Sequence, residues 1–190
     1  MGITELVVIG LVVALAVYTL TIYNGLVRLK HRVRMTWSNI DVLLKQRHDE
    51  LPNLVETCKG YMRHEKETFR VVIEARSRVA RARQAEDVAA LGPAETALRA
   101  GLGSLFALAE DYPDLKADET FRHLQSRITE LENQIADRRE TYNATVSSFN
   151  IRREQFPDVI VARNAGFEEA DLLQFDESEL ENIDLTDVLD

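Results

Sequence analysis

The stretch LVVIGLVVALAVYTLTIYNGLV, from Leu6 to Val27, contains no charged side chain. An α-helix of that length rises about 33 Å at ~1.5 Å per residue, close to the ~30 Å hydrocarbon core of a bilayer. The stretch predicts a single transmembrane helix. It divides the chain into an anchor over residues 1–27 and a polar helical body behind it.

A cleavable signal peptide is the alternative interpretation of this stretch, because Ala14-Leu15-Ala16 resembles a cleavage site. Signal peptides carry Lys or Arg ahead of the apolar run, whereas this chain carries Glu5 there. The uncharged run also continues beyond Ala16. We therefore favour a helix that stays in the membrane.

Four basic side chains follow the apolar stretch at every second position: Arg28, Lys30, Arg32 and Arg34. Steps of two distribute these cations around a helix, which suits contact with lipid headgroups at a membrane interface. Ordinary solvated helix charge is the alternative. We call this group the basic collar. By the positive-inside rule it predicts that the N-terminus lies outside and the helical body lies in the cytoplasm.

Composition limits the remaining possibilities. Only 8 Gly and 4 Pro interrupt the 190 residues, which favours long helices. The single cysteine, Cys58, excludes an internal disulfide and a thiolate zinc site, and its place on an apolar helix face predicts a buried side chain. Residues 168–190 hold ten acidic side chains and no Lys or Arg, while the rest of the chain is nearly neutral. No broad basic face for nucleic acid is expected.

Apolar periodicity and proline positions predict four long helices. A membrane helix continuing into an antiparallel, four-helix-bundle-like body of long helices is the expected all-α fold. The first helix is expected to break or kink at Leu51-Pro52. The other expected helices are a second from Pro52 to Gln84, a shorter third from Ala94 to Asp111, and a fourth capped by Asp118 and reaching Gln155.

In the first and fourth helices apolar residues recur every seven positions, the spacing at which helices pack together. Arg138 and Thr145 are polar members of such a series. A buried polar pair, an oligomer contact and the frayed side of a bundle all remain open for them, and plain bundle core is the simplest explanation for the others. The candidate helix–helix or oligomer contacts are Trp37, Ile40, Leu44, Arg138, Tyr142 and Thr145.

The sequence offers no catalytic residue, cofactor-binding residue or metal ligand. It lacks His-Glu-x-x-His, a Gly-rich phosphate loop and a Gly-x-Ser-x-Gly elbow. Polar side chains flank Pro52, and we expect them to satisfy the backbone groups that proline leaves unpaired, or else to form a contact patch for a partner. These residues are Asn39, Asp41, Asn53 and Glu56.

Residues 23–77 closely resemble the LemA family, with the patterns Y-N-x-L-V, W-S-N-I-D-V-x-L-K-x-R, L-P-N-L-V-E-T-x-K-G-Y and H-E-K-E-T. The segments YPDLKADETFRHLQ, LENQIADRRETYN and FPDVIVARNAGF match as well, so the resemblance spans Tyr23 to Phe167. The acidic extension after Phe167 is expected to fall outside it. The resemblance implies a membrane-anchored antiparallel bundle in bacteria, and it implies no activity, cofactor or catalytic residue.

These observations predict three regions: a transmembrane anchor over 1–27, a helical-bundle domain over 28–167 and an acidic tail over 168–190. The favoured function is a non-enzymatic, single-pass scaffold of the bacterial cytoplasmic (inner) membrane that self-assembles into a homo-oligomer. The alternative is a monomeric adaptor that presents its bundle or its acidic tail to a membrane protease or sensor. The expected partners are the lipid bilayer and further copies of the chain, and in the adaptor alternative another membrane protein.

Overall fold

The computed structural model describes residues 2–175. That range contains six α-helices and no strand, so the predicted all-α fold is confirmed. The helices are α1 (Ile3–Tyr61), α2 (Lys66–Gln84), α3 (Val88–Ala109), α4 (Pro113–Ala117), α5 (Glu119–Glu154) and α6 (Asp158–Asn164).

The chain forms two compact units. Within the described residues, the first comprises residues 2–37 and 141–171, and the second comprises residues 38–140 and 172–175. Helices α1 and α5 contribute to both units. The acidic residues from 176 onward, including most of the predicted tail, lie outside the described range.

Of the break or kink predicted at Leu51-Pro52, the break is wrong, because α1 continues through Pro52 to Tyr61. Proline cannot donate the backbone hydrogen bond that residue 52 would make to the carbonyl of His48. That carbonyl instead accepts a hydrogen bond from Arg76 Nε on α2, at 3.0 Å. The backbone is thus satisfied by a residue distant in sequence, not by the polar neighbours of Pro52.

The second unit is an antiparallel four-helix arrangement of α1, α2, α3 and α5. Contacts of α1 with α2 join Asp41 to Arg83 and His48 to Arg76, so these two helices run in opposite directions. Contacts of α1 with α5 join Arg47 to Glu132 and Tyr61 to Asp118, and show the same antiparallel sense. Leucine and phenylalanine side chains fill the interior, where Cys58 is also fully buried.

Helix α3 begins at Val88, six residues earlier than its predicted start at Ala94. The carboxylate of Asp87 caps it by accepting from the backbone N–H of Ala90 at 2.9 Å. Pro93 lies within the helix and is exposed. The Gly92-Pro93 pair, which precedes the predicted start at Ala94, is therefore helical.

The predicted cap of the last long helix is confirmed. Asp118 Oδ1 accepts from the backbone N–H of Phe121 at 2.9 Å, and Asp118 Oδ2 accepts from the Tyr61 hydroxyl at 3.0 Å. The Phe121 N–H, followed by the Tyr61 hydroxyl, lowers the pKa of Asp118 because both bonds favour the carboxylate. The cap thus also ties the start of α5 to the end of α1.

The first unit packs α6 onto α1 and the C-terminal half of α5. Its core contains Ile22, Leu26 and Ala162, with Phe167 packed against them. Gly166 has a φ of +68°, and the N–H of Phe167 bonds back to the carbonyl of Ala162 at 3.0 Å. This glycine-terminated helix end turns the chain so that Phe167 returns to the core.

Candidate functional site: exposed helix surfaces and a buried charged layer

The N-terminal part of α1 is exposed on every side. All residues from 2 to 21 are exposed, although most of them are apolar. The hydroxyls of Thr19 and Thr21 donate to the carbonyls of Leu15 and Val17, each at 2.9 Å, so these polar groups are satisfied within the helix. We call residues 3–20 the apolar arm. Within residues 2–175, α1 is the one helix long and apolar enough to cross a membrane.

The last part of the predicted span has a different environment from the arm. Ile22 and Leu26, which belong to the uncharged stretch 6–27, are buried against α6. Their side chains contact protein rather than solvent or lipid. The anchor boundary at residue 27 itself stays a prediction.

The four residues of the basic collar, Arg28, Lys30, Arg32 and Arg34, are all exposed on α1. Among them, Lys30 places its Nζ 5.9 Å from the centroid of the Phe167 ring, within range of a cation–π contact. All four side chains are accessible, and Lys30 also lies beside a ring that packs on the core of the first unit. Contact of the collar with lipid headgroups stays a prediction.

The structure separates the six predicted helix–helix or oligomer contacts. Ile40, Leu44 and Tyr142 are buried within the chain, and Trp37 is half-buried with its ring 5.7 Å from that of Tyr142. These four serve contacts inside the protein.

The two polar members differ from those four. Arg138 is exposed, and Thr145 is half-buried and donates to the carbonyl of Thr141 at 2.8 Å. A buried polar pair between Arg138 and Thr145 is therefore not formed, and Arg138 is the member open to a second molecule.

Sequence reasoning missed a buried charged layer in the second unit. Arg47, only 1% exposed, donates from Nη2 to both oxygens of Glu95 at 2.5 and 2.6 Å, and from Nη1 to Glu132 at 2.9 Å. Arg99 Nε also donates to Glu132, at 3.2 Å. We call these four residues the charged layer. Its two arginines balance its two glutamates.

Opposing effects act on the guanidinium at the centre of this layer. Burial disfavours its charged form, but the charges of Glu95 and Glu132, together with the hydrogen bonds that both accept, outweigh that effect and raise the pKa of Arg47. A slide of α1, α3 or α5 by one turn would leave buried charges without partners. We therefore expect the layer to fix the register of these three helices.

A signal for this layer is present in the sequence. Arg47 occupies the next position after Ile40 in the seven-residue series of α1, where an apolar residue is expected. Glu95 lies between Leu91 and Leu98 on the apolar face of α3. Charged residues at apolar positions on different helices indicate a buried ion pair.

The described part of the acidic tail lies along the two units. In the first unit, the side-chain amide of Asn150 donates to the carbonyl of Ala170 at 2.8 Å and accepts from its N–H at 3.0 Å. Arg153 pairs with Glu169 at 3.1 Å. In the second unit, Leu173 and Phe175 are buried. The beginning of the tail is thus an ordered part of the fold.

Gly92 explains how the end of this segment fits against α3. A Cβ at Gly92 would lie 2.0 Å from the carbonyl oxygen of Gln174, which is closer than any real contact. The ring of Phe175 lies 4.3 Å from the guanidinium of Arg139 on α5. In this range the tail therefore contacts α3 and α5.

A surface recess of about 440 Å³ lies between the end of α2 and the start of α3. Small side chains line most of it, together with Arg78, Arg81 and Asp87. Arg78 pairs with Glu74 on its own helix at 2.5 Å. No three His, Cys, Asp or Glu side chains in residues 2–175 gather where they could hold a metal ion.

Cys58 is not placed to act as a nucleophile. It is fully buried, and burial raises the pKa of its thiol to about 12, so that the thiolate is absent at neutral pH. The prediction of a buried, inert cysteine is confirmed.

This geometry defines a class of all-α protein that combines an exposed apolar arm with a helical bundle containing a buried charged layer. The family model described as LemA family matches residues 36–186, and the chain belongs to that family. Since the match continues to residue 186, the expectation that the acidic extension falls outside the family pattern was wrong.

Three relatives show how far the similarity extends. Magnetosome protein MamQ 2 of Paramagnetospirillum magneticum is 27% identical over 186 residues, covering 86% of this chain and 68% of that protein. Magnetosome protein MamQ of Magnetospirillum gryphiswaldense is 23% identical over 168 residues, covering 76% of this chain and 62% of that protein. Protein LemA of Metamycoplasma hominis is 26% identical over 167 residues, covering 87% and 74% respectively.

Proposed function

We propose that this protein is a non-enzymatic scaffold, anchored in the bacterial cytoplasmic membrane by α1, where several copies assemble side by side. The observation that carries the proposal is the apolar arm. Within residues 2–175 no other segment covers this apolar, exposed helix, and a bilayer would provide the apolar environment that it needs. Because α1 is unbroken to Tyr61, the anchor and the bundle are joined by one continuous helix.

The basic collar supports an orientation with the bundle in the cytoplasm. The expected result is that a protease added outside spheroplasts leaves the bundle intact and degrades it only after the membrane is opened. Digestion of the bundle in intact spheroplasts would show that the bundle lies outside, and would leave the membrane anchor itself unaffected.

A non-enzymatic role is supported by the state of the buried polar groups. The carboxylates of Glu95 and Glu132 are engaged by Arg47 and Arg99, and none of these four residues lines the recess between α2 and α3. Groups used in acid–base catalysis instead combine a perturbed pKa with access to a cleft. The charged layer fits a structural role better than a catalytic one.

Assembly of copies is supported by apolar and polar side chains that the bundle leaves exposed. Val42 on α1 and Val71 and Ile73 on α2 are at least 40% exposed. Arg138 lies on α5 in register with a helix-packing series and faces outward.

Cysteine cross-linking in native membranes tests this assembly. Arg138→Cys is expected to form covalent dimers on mild oxidation, because copies packed through α5 would bring this position close to its equivalent. Ser104→Cys, an exposed position on α3 outside the series, is the matched control. Cys58 needs no replacement since it is buried. Equal cross-linking of both variants, or of neither, would contradict assembly through α5.

The recess between α2 and α3 favours a second candidate function, a monomeric adaptor for a membrane protease or sensor. Arg78 and Arg81 at its rim suit an acidic segment of a partner. In that case Arg81→Glu would abolish partner capture, and Arg138→Cys would form no covalent dimer with or without Arg81→Glu.

A further inference from the structure

We propose that the turn between α5 and α6 rests in the membrane interface beside α1, so that the lipid boundary lies near Thr21 rather than at the basic collar. The surface concerned consists of Tyr18, Tyr23, Phe156 and Ile160, which we call the interfacial rim. The proposal rests on the anchoring described above, because it locates where the anchored chain leaves the bilayer.

The height of the turn along α1 follows from packing within the first unit. Helix α5 runs antiparallel to α1, with the ring of Tyr142 against that of Trp37. Phe156 lies 14 residues after Tyr142, or about 21 Å at ~1.5 Å per residue. The same distance back along α1 from Trp37 reaches Tyr23.

A second contact gives the same level independently. The Arg152 guanidinium faces Gly25, where an added Cβ would lie 2.7 Å from it. Phe156 follows Arg152 by one helical turn, which corresponds to Thr21 on α1. Both estimates place the turn within the uncharged stretch 6–27, next to the end of the apolar arm.

The side chains at this level are apolar and face outward. Phe156 is 81% exposed and Ile160 is 53% exposed, which is unusual for large apolar residues of a folded unit. Tyr18 and Tyr23 on α1 are exposed at the same level. Aromatic rings at the ends of a membrane span are typical of the lipid–water interface.

Charges near the turn are paired. Asp158 is bonded to Arg152 at 2.8 Å, and Arg153 contacts Glu154 at 3.0 Å. The turn thus presents Phe156 and the neutral Gln155 without an isolated charge beside them. An interfacial position costs little under these conditions.

The length of the arm agrees with this boundary. Residues 3–20 rise about 27 Å, close to the ~30 Å of a hydrocarbon core. Ile22 and Leu26, beyond the arm, are covered by α6 and have no need of lipid. The basic collar then begins about 10 Å above the boundary, where salt screens much of its attraction to headgroups.

Depth-dependent quenching of a single tryptophan tests the proposal. Trp37 is the only tryptophan, so Trp37→Phe provides the background, and Phe156→Trp, Tyr18→Trp or Met35→Trp is then added to the full chain. All three positions are more than half exposed, so none of the added rings must enter a core. Each variant is reconstituted in vesicles of phosphatidylcholine and phosphatidylglycerol that carry a doxyl quencher near the headgroup.

We expect Phe156→Trp to be quenched as strongly as Tyr18→Trp, and at least about twofold more strongly than Met35→Trp, which lies well above the interface. If Tyr18→Trp is quenched but Phe156→Trp is quenched no more than Met35→Trp, the proposed position of the turn is wrong and the anchor is unaffected. Absence of quenching at Tyr18→Trp as well would overturn both the anchor and this inference.

Discussion

The two ends of α1 have opposite surroundings although both are rich in apolar residues. From Ile3 to Leu20 every side chain is exposed, whereas from Ile40 to Cys58 a side chain is buried at each turn. The difference lies in periodicity. Apolar residues encircle the first end, while they form a stripe with charges between them at the second end. Neighbouring helices can bury an apolar stripe on one face of a helix. A helix that is apolar on all faces requires a surrounding apolar medium.

The largest effect on stability is expected in the charged layer, which lies at the bundle end of α1. Glu95→Gln leaves Arg47 buried with one of its two carboxylates and should lower the free energy of unfolding by about 3 kcal/mol or more. Denaturant unfolding followed by circular dichroism measures this loss. Glu74→Gln, which removes the exposed partner of Arg78, is the matched control and should leave the unfolding midpoint unchanged. Equal effects of the two variants would show that burial does not distinguish them.

A pair of leucine truncations compares the two ends directly. Leu54→Ala opens a cavity in the bundle and should cost about 2–5 kcal/mol of unfolding free energy, since Leu54 is fully buried. Leu11→Ala in the apolar arm truncates an exposed side chain and should not change bundle unfolding in detergent. A comparable loss from Leu11→Ala would mean that the arm packs against protein.

The hydrogen bond from Arg76 to the carbonyl of His48, which replaces the one that Pro52 cannot donate, is expected to have a smaller effect on stability. Arg76→Ala leaves the carbonyl of His48 without its donor and should cost about 1–2 kcal/mol. In a chain that already carries Pro52→Ala, the residue 52 N–H bonds that carbonyl, so the cost of Arg76→Ala should be reduced. A double-mutant cycle on unfolding free energies measures this coupling. Additive effects would contradict the role given to Arg76.

The smallest effect concerns pH. Burial, followed by the positive charge of Arg76, lowers the pKa of His48 below its usual 6.5, with Arg83 acting in the same direction and Asp49 against it. The unfolded chain therefore binds a proton more readily than the folded one. Stability contributed by neutral His48 is present above pH 6.5 and is lost as the pH falls towards the lowered pKa. His48→Gln should flatten the stability profile in that window, and an unchanged profile would contradict this assignment.

Local signals in the sequence predicted much of this fold. The all-α class, the cap at Asp118 and the burial of Cys58 follow from periodicity and capping chemistry, which act over a few residues. The continuity of α1 could not be predicted in that way, because the donor that replaces the missing N–H of Pro52 comes from Arg76 on another helix. The early start of α3 had a local signal in Asp87, which the Gly92-Pro93 pair obscured.

In the candidate site, too, local features could be predicted from the sequence and contacts between helices could not. Exposure of the basic collar could be inferred from its charge and spacing. The charged layer required pairing Arg47 with Glu95 and Glu132 across three helices, and no spacing within one helix encodes that pairing. The height of the α5–α6 turn likewise depends on the register between α1 and α5, which only the folded chain defines.

The mass of the complex released from its native membrane by gentle extraction tests the central claim most directly. The scaffold account predicts a discrete homo-oligomer that contains several copies of this chain and persists when the extract is diluted. A single copy bound to a different protein would contradict that account, and the adaptor function would then replace it.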